Sequence, residues 1–277
     1  MPGADIDLPA DHPGVSDPSY LERRSAIANA SADLSAGAPA PQISYTPVED
    51  GVWAAVSAAL HDLHREYAVE EYRAGASALD LPRDHVPQLA DVSDRLFDLT
   101  GWRVSAVPGL VPTRMFYGSL ADRTFLSTQY VRHPSVPFYT PEPDIIHELV
   151  GHVNALASPR IAALYEAAGH ASRRAADAAA LDRFSRVFWF TLEFGVAHES
   201  DRLRTYGAGL LSSFGEIQAF RKATVRPLDT DAMIAQDYDI TTFQDVLFGA
   251  TSFDAAAEAL LLWFSEFGST TTDTPGR

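Results

Sequence analysis

The sequence predicts a mainly α-helical fold with minor short β-strands. Three observations carry that expectation. Several stretches place apolar residues at helical spacing, one Pro-interrupted stretch holds short β-prone pieces, and no internal repeat occurs. Residues 1–47 are rich in Ala, Pro, Ser and Asp with few large apolar groups, and read as a flexible or loosely docked lead-in. From Val48 the texture changes. Val52, Trp53, Val56, Leu60, Leu63 and Tyr67 recur on one helical face, behind Glu49 and Asp50 in the first turn. A second helix is expected over 88–99, with Leu89, Val92, Leu96 and Leu99 on one side and Gly101 past its end. Between 102 and 142, Pro108, Pro112, Pro134, Pro137 and Pro141 separate β-prone pieces at 102–107 and 124–131, so loops and short strands are expected there. Helix resumes near Pro143, runs through the Ala-rich 160–180 stretch, and recurs at 182–197. It recurs last at 253–267, where Phe253, Ala257, Leu260, Leu261, Phe264 and Phe267 form a stripe. The expected organisation is the lead-in 1–47, one folded domain over 48–268, and a short tail at 269–277.

Composition narrows the function. The 277 residues are 46% hydrophobic and 21% charged, enough for a sizeable core. Lys+Arg number 21 against 37 Asp+Glu, a formal charge of −16, so a phosphate backbone or anionic lipid surface is repelled; neither nucleic acid nor membrane is an expected partner. There is no cysteine, which excludes disulfides, Cys-zinc sites, iron–sulfur clusters and thiol nucleophiles. Lys222 is the only lysine; it sits in a polar run unsuited to Schiff-base chemistry, and no Gly-Lys-Ser/Thr phosphate loop exists. Residues 1–20 lack a basic start and an apolar stretch, and no run of about 18 apolar residues occurs, so the cytoplasm is the expected compartment.

One segment is rich in metal-binding chemistry: His147-Glu148-Leu149-Val150-Gly151-His152. Five residues separate the histidines, roughly 500° of rotation at about 100° per residue, which leaves them some 140° apart on a regular α-helix. They converge on one ion only if the helix ends or distorts between them, and Gly151 permits a break. The third candidate ligand is Glu193, set within Phe188-Trp-Phe-Thr-Leu-Glu-Phe-Gly195. A carboxylate buried among such residues needs a partner, either a divalent ion or an arginine. Two imidazoles and one carboxylate form the facial triad that leaves positions open on Fe(II); zinc with the same ligands is the rival. His133, His170 and His198 are spare candidates, and His61 and His64 look like helix-surface residues.

The motifs TPEPDIIHELVGH (140–152), QYVRH (129–133), FWFTLEFG (188–195), YGAGLLSSFGE (206–216), PQLADVS (87–93) and ITTFQDV (240–246) resemble, in order and near-spacing, the pterin-dependent aromatic amino acid hydroxylases. The resemblance covers roughly residues 45–265 and implies that family's catalytic-domain fold. It implies that His147, His152 and Glu193 bind Fe(II), and that tetrahydropterin (tetrahydrobiopterin or a relative) and dioxygen are cosubstrates. It further implies that Arg132 grips the substrate α-carboxylate with help from Thr140, Ser212 and Ser213, that Asp144 orients the arginine, and that Trp189 and Phe194 wall the ring pocket. The pterin side would comprise Val107, Gly109, Leu110 and Val111, Phe116 stacking on the bicyclic ring, and Glu148 at its polar edge. Three positions depart from the family pattern. Leu126 and Phe188 stand where histidine and tyrosine are frequent near the pterin, and Asn154 replaces a proline.

The activity implied is ring hydroxylation of a free aromatic L-amino acid, with phenylalanine to tyrosine favoured. Tryptophan hydroxylation and hydroxylation of phenylalanine at carbon 3 are the alternatives within the family. From other classes, a zinc hydrolase with Glu148 as base and a non-catalytic pterin or amino-acid binder stay open. No oligomerisation helix is evident, and a monomer is expected.

Overall fold

The computed structural model describes residues 8, 12–32, 34 and 38–269. Of the tail read at 269–277, all but Ser269 lies outside these residues, as do parts of the lead-in. Helices dominate and strands are short, as the apolar spacing predicts. The helix α1 (Pro18–Ala30) is followed by α2 (Pro47–Tyr67), α3 (Glu70–Leu79) and α4 (Leu89–Thr100). Thr46 starts α2 with a reciprocal capping box: its hydroxyl accepts from Glu49 N, while the Glu49 carboxylate accepts from Thr46 N. Gly101 ends α4, as its place past the apolar stripe predicts, at φ 75°, a left-handed conformation that glycine adopts without strain.

The Pro-rich stretch contains β1 (Arg103–Ala106), α5 (Thr113–Leu120) and β2 (Thr124–Ser127). The two strands pair in parallel, Val104 opposite Phe125, and are shorter than the pieces expected from β-propensity. Then come a π-helical segment (His147–Val153) running into α6 (Asn154–Leu156), α7 (Pro159–Arg173) and α8 (Ala178–Phe188). A second π-helical segment (Trp189–Glu193) continues α8. The helix expected over 182–197 stops there, because Val196–Glu199 is drawn into a sheet as β3. It pairs antiparallel with β4 (Arg202–Thr205) and parallel with a strand far along the chain, a non-local pairing that local periodicity cannot register. After α9 (Ala208–Ser212) and α10 (Phe214–Ala219) come β5 (Thr224–Pro227), α11 (Thr230–Ala235), β6 (Val246–Ala250) and α12 (Phe253–Glu266). The larger sheet has the order β4-β3-β6-β5.

One hydrophobic core runs through these layers, with Trp53, Tyr72, Phe125, Tyr165, Phe184, Phe188, Phe248 and Phe264 buried in it. The stretch read as a lead-in contributes α1, which docks by polar contacts that a count of large apolar residues overlooks. Arg24 is buried, ion-pairs with Glu142 and lies 4.0 Å over the Tyr130 ring. Ile27, Ile43 and Tyr130 form a small satellite cluster beside it. This docking covers the 130–142 loop, where Arg132 and Thr140 reside.

Candidate active site

The two segments singled out as ligand-bearing are both π-helical. In a π-helix the hydrogen bond runs from residue i+5 back to i, so side chains five apart superpose as those four apart do in an α-helix. Asn154 N accordingly donates to Leu149 O, and Phe194 N to Trp189 O at 2.9 Å. This distortion, rather than a break at Gly151, brings His147 and His152 together: their Nε2 atoms lie 3.1 Å apart. Gly151 serves a different purpose. A Cβ there would sit 2.7 Å from Ala208 O, so its absence lets α9 press against the π-helix.

Glu193, the last residue of the second π-segment, brings Oε1 to 3.1 Å from His152 Nε2. Its approach depends on Gly207, where a Cβ would fall 2.3 Å from Glu193 O. Two ligand atoms at right angles, each about 2.1 Å from one ion, lie about 3 Å apart. The two 3.1 Å edges therefore suit neighbouring positions around a single metal.

The histidine tautomers are set by hydrogen bonds behind the rings. Ser212 Oγ donates to Ala208 O at 2.9 Å and so accepts from His147 Nδ1–H at 2.8 Å. Tyr165 Oη donates toward Leu192 O and accepts from His152 Nδ1–H at 2.8 Å. Both Nε2 lone pairs are thereby left facing the common point, as metal-ligating histidines require. Burial lowers the His147 pKa to about 4, with His152 adding to the effect, so that imidazole is neutral near pH 7.

Two carboxylates compete for the third position. Glu148 also lies with the two histidines in a group whose ligand atoms are all within 4.8 Å of one another, nearer than a 100° helical step suggests. Their electrostatics differ. Burial, followed by the charges of Glu193 and Asp144, pushes the Glu148 carboxyl well above the ordinary range. Burial also raises Glu193, but His152 and His147 outweigh it and hold the carboxyl below its ordinary value. Glu193 is thus the better anionic ligand. The donor set of two neutral imidazoles and one carboxylate, with tautomers fixed, fits a divalent metal such as Fe(II) and leaves further positions open.

Arg132 and Asp144 form a buried bidentate pair, with Nε to Oδ2 at 2.9 Å and Nη2 to Oδ1 at 2.7 Å. Asp144 also accepts from His147 N at 3.1 Å, which ties the arginine to the start of the first π-segment. Of the five guanidinium N–H groups, these two face Asp144 and one approaches Pro137 O at 3.4 Å. Two remain for a carboxylate.

Trp189 packs against two rings: Tyr238 stacks on it at 4.6 Å between centroids with planes 17° apart, and Phe194 lies at 4.5 Å with planes tilted by 37°. Its Nε1 donates to Gln244 Oε1 at 3.0 Å. Ser213 caps α10 by accepting from Glu216 N, and Thr140 Oγ1 donates to Glu142 O at 2.7 Å. Ser212, expected beside the substrate carboxylate, is engaged on His147 instead.

On the side expected to meet pterin, Val107 and Val111 line a cavity of about 740 Å³ together with Leu126. Leu110 projects outward and is 72% exposed, whereas Gly109 is buried. Phe116 packs edge-on against Phe125 and Phe188. His64, read as a surface residue, is buried and bonded to Leu211 O, because α2 turns that face inward. His133 bonds Ser135 and Asp17, away from the cluster. Tyr165, Tyr238 and Gln244 escaped the sequence reading as site residues; Gln244 lies in the ITTFQDV motif, but Tyr165 has no local signal.

A mainly helical domain with a two-histidine, one-carboxylate cluster beside a buried arginine has the donor set of a non-haem metal enzyme. The chain belongs to the biopterin-dependent aromatic amino acid hydroxylase family, whose profile matches residues 2–270. It is 47% identical over 249 residues to phenylalanine 3-hydroxylase of Streptomyces coeruleorubidus, covering 90% of this chain and 89% of that protein. It is 41% identical over 262 residues to phenylalanine-4-hydroxylase of Rattus norvegicus, covering 92% of this chain but 57% of the rat protein. Among solved structures, phenylalanine hydroxylase of Chromobacterium violaceum with bound oxidised Fe(III) superposes with a TM-score of 0.79 at 30% identity, covering 92% of this chain and 97% of that one.

Proposed function

We propose that this protein hydroxylates the ring of free L-phenylalanine, giving tyrosine, with His147, His152 and Glu193 holding Fe(II). The observation that carries the reading is the 3.1 Å approach of His152 Nε2 to both His147 Nε2 and Glu193 Oε1, beside a buried Arg132–Asp144 pair that is bonded to the backbone of His147. When bound, iron and tetrahydropterin supply the electrons and the site at which dioxygen is activated. The chain's own groups do the rest. The two spare N–H groups of Arg132 receive the substrate α-carboxylate as a fork. The pair with Asp144 prevents that fork from turning, which fixes how far the ring extends toward the metal ligands. Trp189, braced by Phe194 and Tyr238, offers the ring an apolar edge. Glu148, whose carboxyl burial pushes up, presents a polar edge beside the metal ligands, suited to a hydrogen bond with pterin.

A second reading, hydroxylation at carbon 3, is favoured by the 47% identity to a phenylalanine 3-hydroxylase over most of both chains. Turnover with Fe(II), tetrahydropterin and oxygen on phenylalanine, tryptophan and tyrosine, with products separated chromatographically, tests both. Tyrosine from phenylalanine is the expected product; 3-hydroxyphenylalanine assigns the second reading, and oxygen-independent binding without product overturns both. We further propose a cytoplasmic monomer, which sedimentation of the purified chain checks for its oligomeric part.

A further inference from the structure

A second cavity, of about 210 Å³, lies between α2, α3 and the π-segment, and none of His147, His152, Glu193 or Arg132 lines it. Three side-chain atoms on its lining residues are buried without a hydrogen bond: Ser57 Oγ, Arg73 Nε and Asn154 Oδ1. Asn154 Nδ2 faces two acceptors, Tyr72 Oη at 3.4 Å and Val150 O at 3.5 Å, which turns its oxygen the other way. His64 adds an acceptor. Its Nε2 donates to Leu211 O at 2.6 Å, which leaves Nδ1 bare. Tyr72 spends its one proton on Val150 O at 2.6 Å, so its oxygen, 3.4 Å from His64 Nδ1, has none to give there.

The charge around this cavity runs against that of the whole chain. Arg65 and Arg83 line it and are exposed, and neither guanidinium makes an ion pair or hydrogen bond with a described residue. Both guanidiniums bear on His61, whose pKa is lowered by burial and then by Arg83. Trp53, Leu81 and Pro82 supply apolar wall. The interior thus wants a group that both donates and accepts, the mouth wants an anion, and the wall between them is apolar. A buried polar atom left unpaired costs free energy that a matching ligand group recovers.

We propose that this cavity binds a small aryl carboxylate carrying a phenolic hydroxyl. The carboxylate meets Arg65 and Arg83, and the ring lies along Trp53, Leu81 and Pro82. The hydroxyl donates to Asn154 Oδ1 or His64 Nδ1 and accepts from Arg73 Nε or Ser57. The site stands apart from the hydroxylation reading, since it depends on none of the metal ligands.

Calorimetric titration of the iron-loaded full chain with 3-(4-hydroxyphenyl)propionate, 3-phenylpropionate and inorganic phosphate tests it. The expected result is a binding event for the phenolic acid that Arg65→Ala with Arg83→Ala weakens at least roughly tenfold, the loss of a charge-assisted contact. In that same event the analogue without the hydroxyl binds roughly tenfold more weakly, and so does Ser57→Ala with the phenolic acid. Both arginines are exposed and unpaired, so the double variant keeps its fold; unfolding temperature and circular dichroism check that. Binding of the phenolic acid that ignores the double variant, equal affinity for the analogue, phosphate bound as tightly, or no binding at all overturns the proposal.

Discussion

Arg132 is bound to Asp144 three times over: through Nε at 2.9 Å, through Nη2 at 2.7 Å, and through its own backbone N–H at 2.9 Å. Burial pushes the Asp144 carboxyl up, but the Arg132 charge and the N–H groups of His147 and Arg132 more than offset it and hold the group below its ordinary value. Removing one partner of such a buried pair leaves the other uncompensated, at a cost of about 3–5 kcal/mol. Asp144→Asn keeps the shape and most hydrogen-bonding capacity but loses the charge. We expect it to lower the unfolding temperature and to raise the KM for phenylalanine far more than the KM for tetrahydropterin. Equal effects on both constants would remove Arg132 from the substrate carboxylate.

The hydrogen bonds behind the two imidazoles give a second expectation. Tyr165→Phe deletes the acceptor for His152 Nδ1, and Ser212→Ala that for His147 Nδ1. Outer partners of this kind contribute about 10–100-fold to metal affinity. Each substitution should weaken iron binding by that order, read by titration against a chelator, and excess Fe(II) should restore part of the activity. Unchanged metal affinity in both variants would mean the rings keep their tautomers without these partners.

Gln244 fixes the indole that the substrate ring is expected to meet. It accepts from Trp189 Nε1 while its own amide donates to Asp239 O at 2.8 Å and Thr242 O at 3.0 Å. Gln244→Leu conserves volume but frees the indole and leaves its half-buried N–H without this partner, at a cost of about 1 kcal/mol. The expected outcome is a several-fold rise in KM for phenylalanine and altered tryptophan emission, with iron content unchanged.

Glu216 supplies the pH dependence. It is buried, accepts from Gln244 N at 2.7 Å, and burial raises its pKa to about 7. A carboxyl whose folded pKa exceeds its unfolded value of about 4.3 binds its proton more tightly in the folded state. Stability from this group is therefore complete below about pH 4.3 and declines as pH rises toward 7. Glu216→Gln, which cannot ionise, should unfold at a higher temperature than the parent at pH 8 and no higher at pH 4.5. The difference is bounded by roughly 4 kcal/mol for a shift of this size. A difference independent of pH would show that Glu216 stays ionised in the folded protein.

Much of this protein could be read from local pattern. The faces of α2, α4 and α12 follow from apolar residues three and four apart, and the end of α4 from Gly101. The candidate ligands His147, His152 and Glu193 could be singled out as well, because a carboxylate amid Trp189, Phe190 and Phe194 needs a partner whatever the fold. What α1 does was not legible, since its docking rests on Arg24 and Glu142, which are 118 positions apart. Nor was β3, whose partner β6 lies 50 residues on.

The amino-acid sequence by itself determined the chemistry available: no thiol, one lysine, imidazoles at 147 and 152, and a carboxylate embedded among aromatic rings. Only the tertiary structure decided how those groups meet. Regular helix geometry keeps side chains five apart on different faces, and the choice of π over α winding depends on what packs around the segment. That packing comes from α9 against Gly151 and from the hydroxyls of Ser212 and Tyr165, which hold the imidazoles from behind.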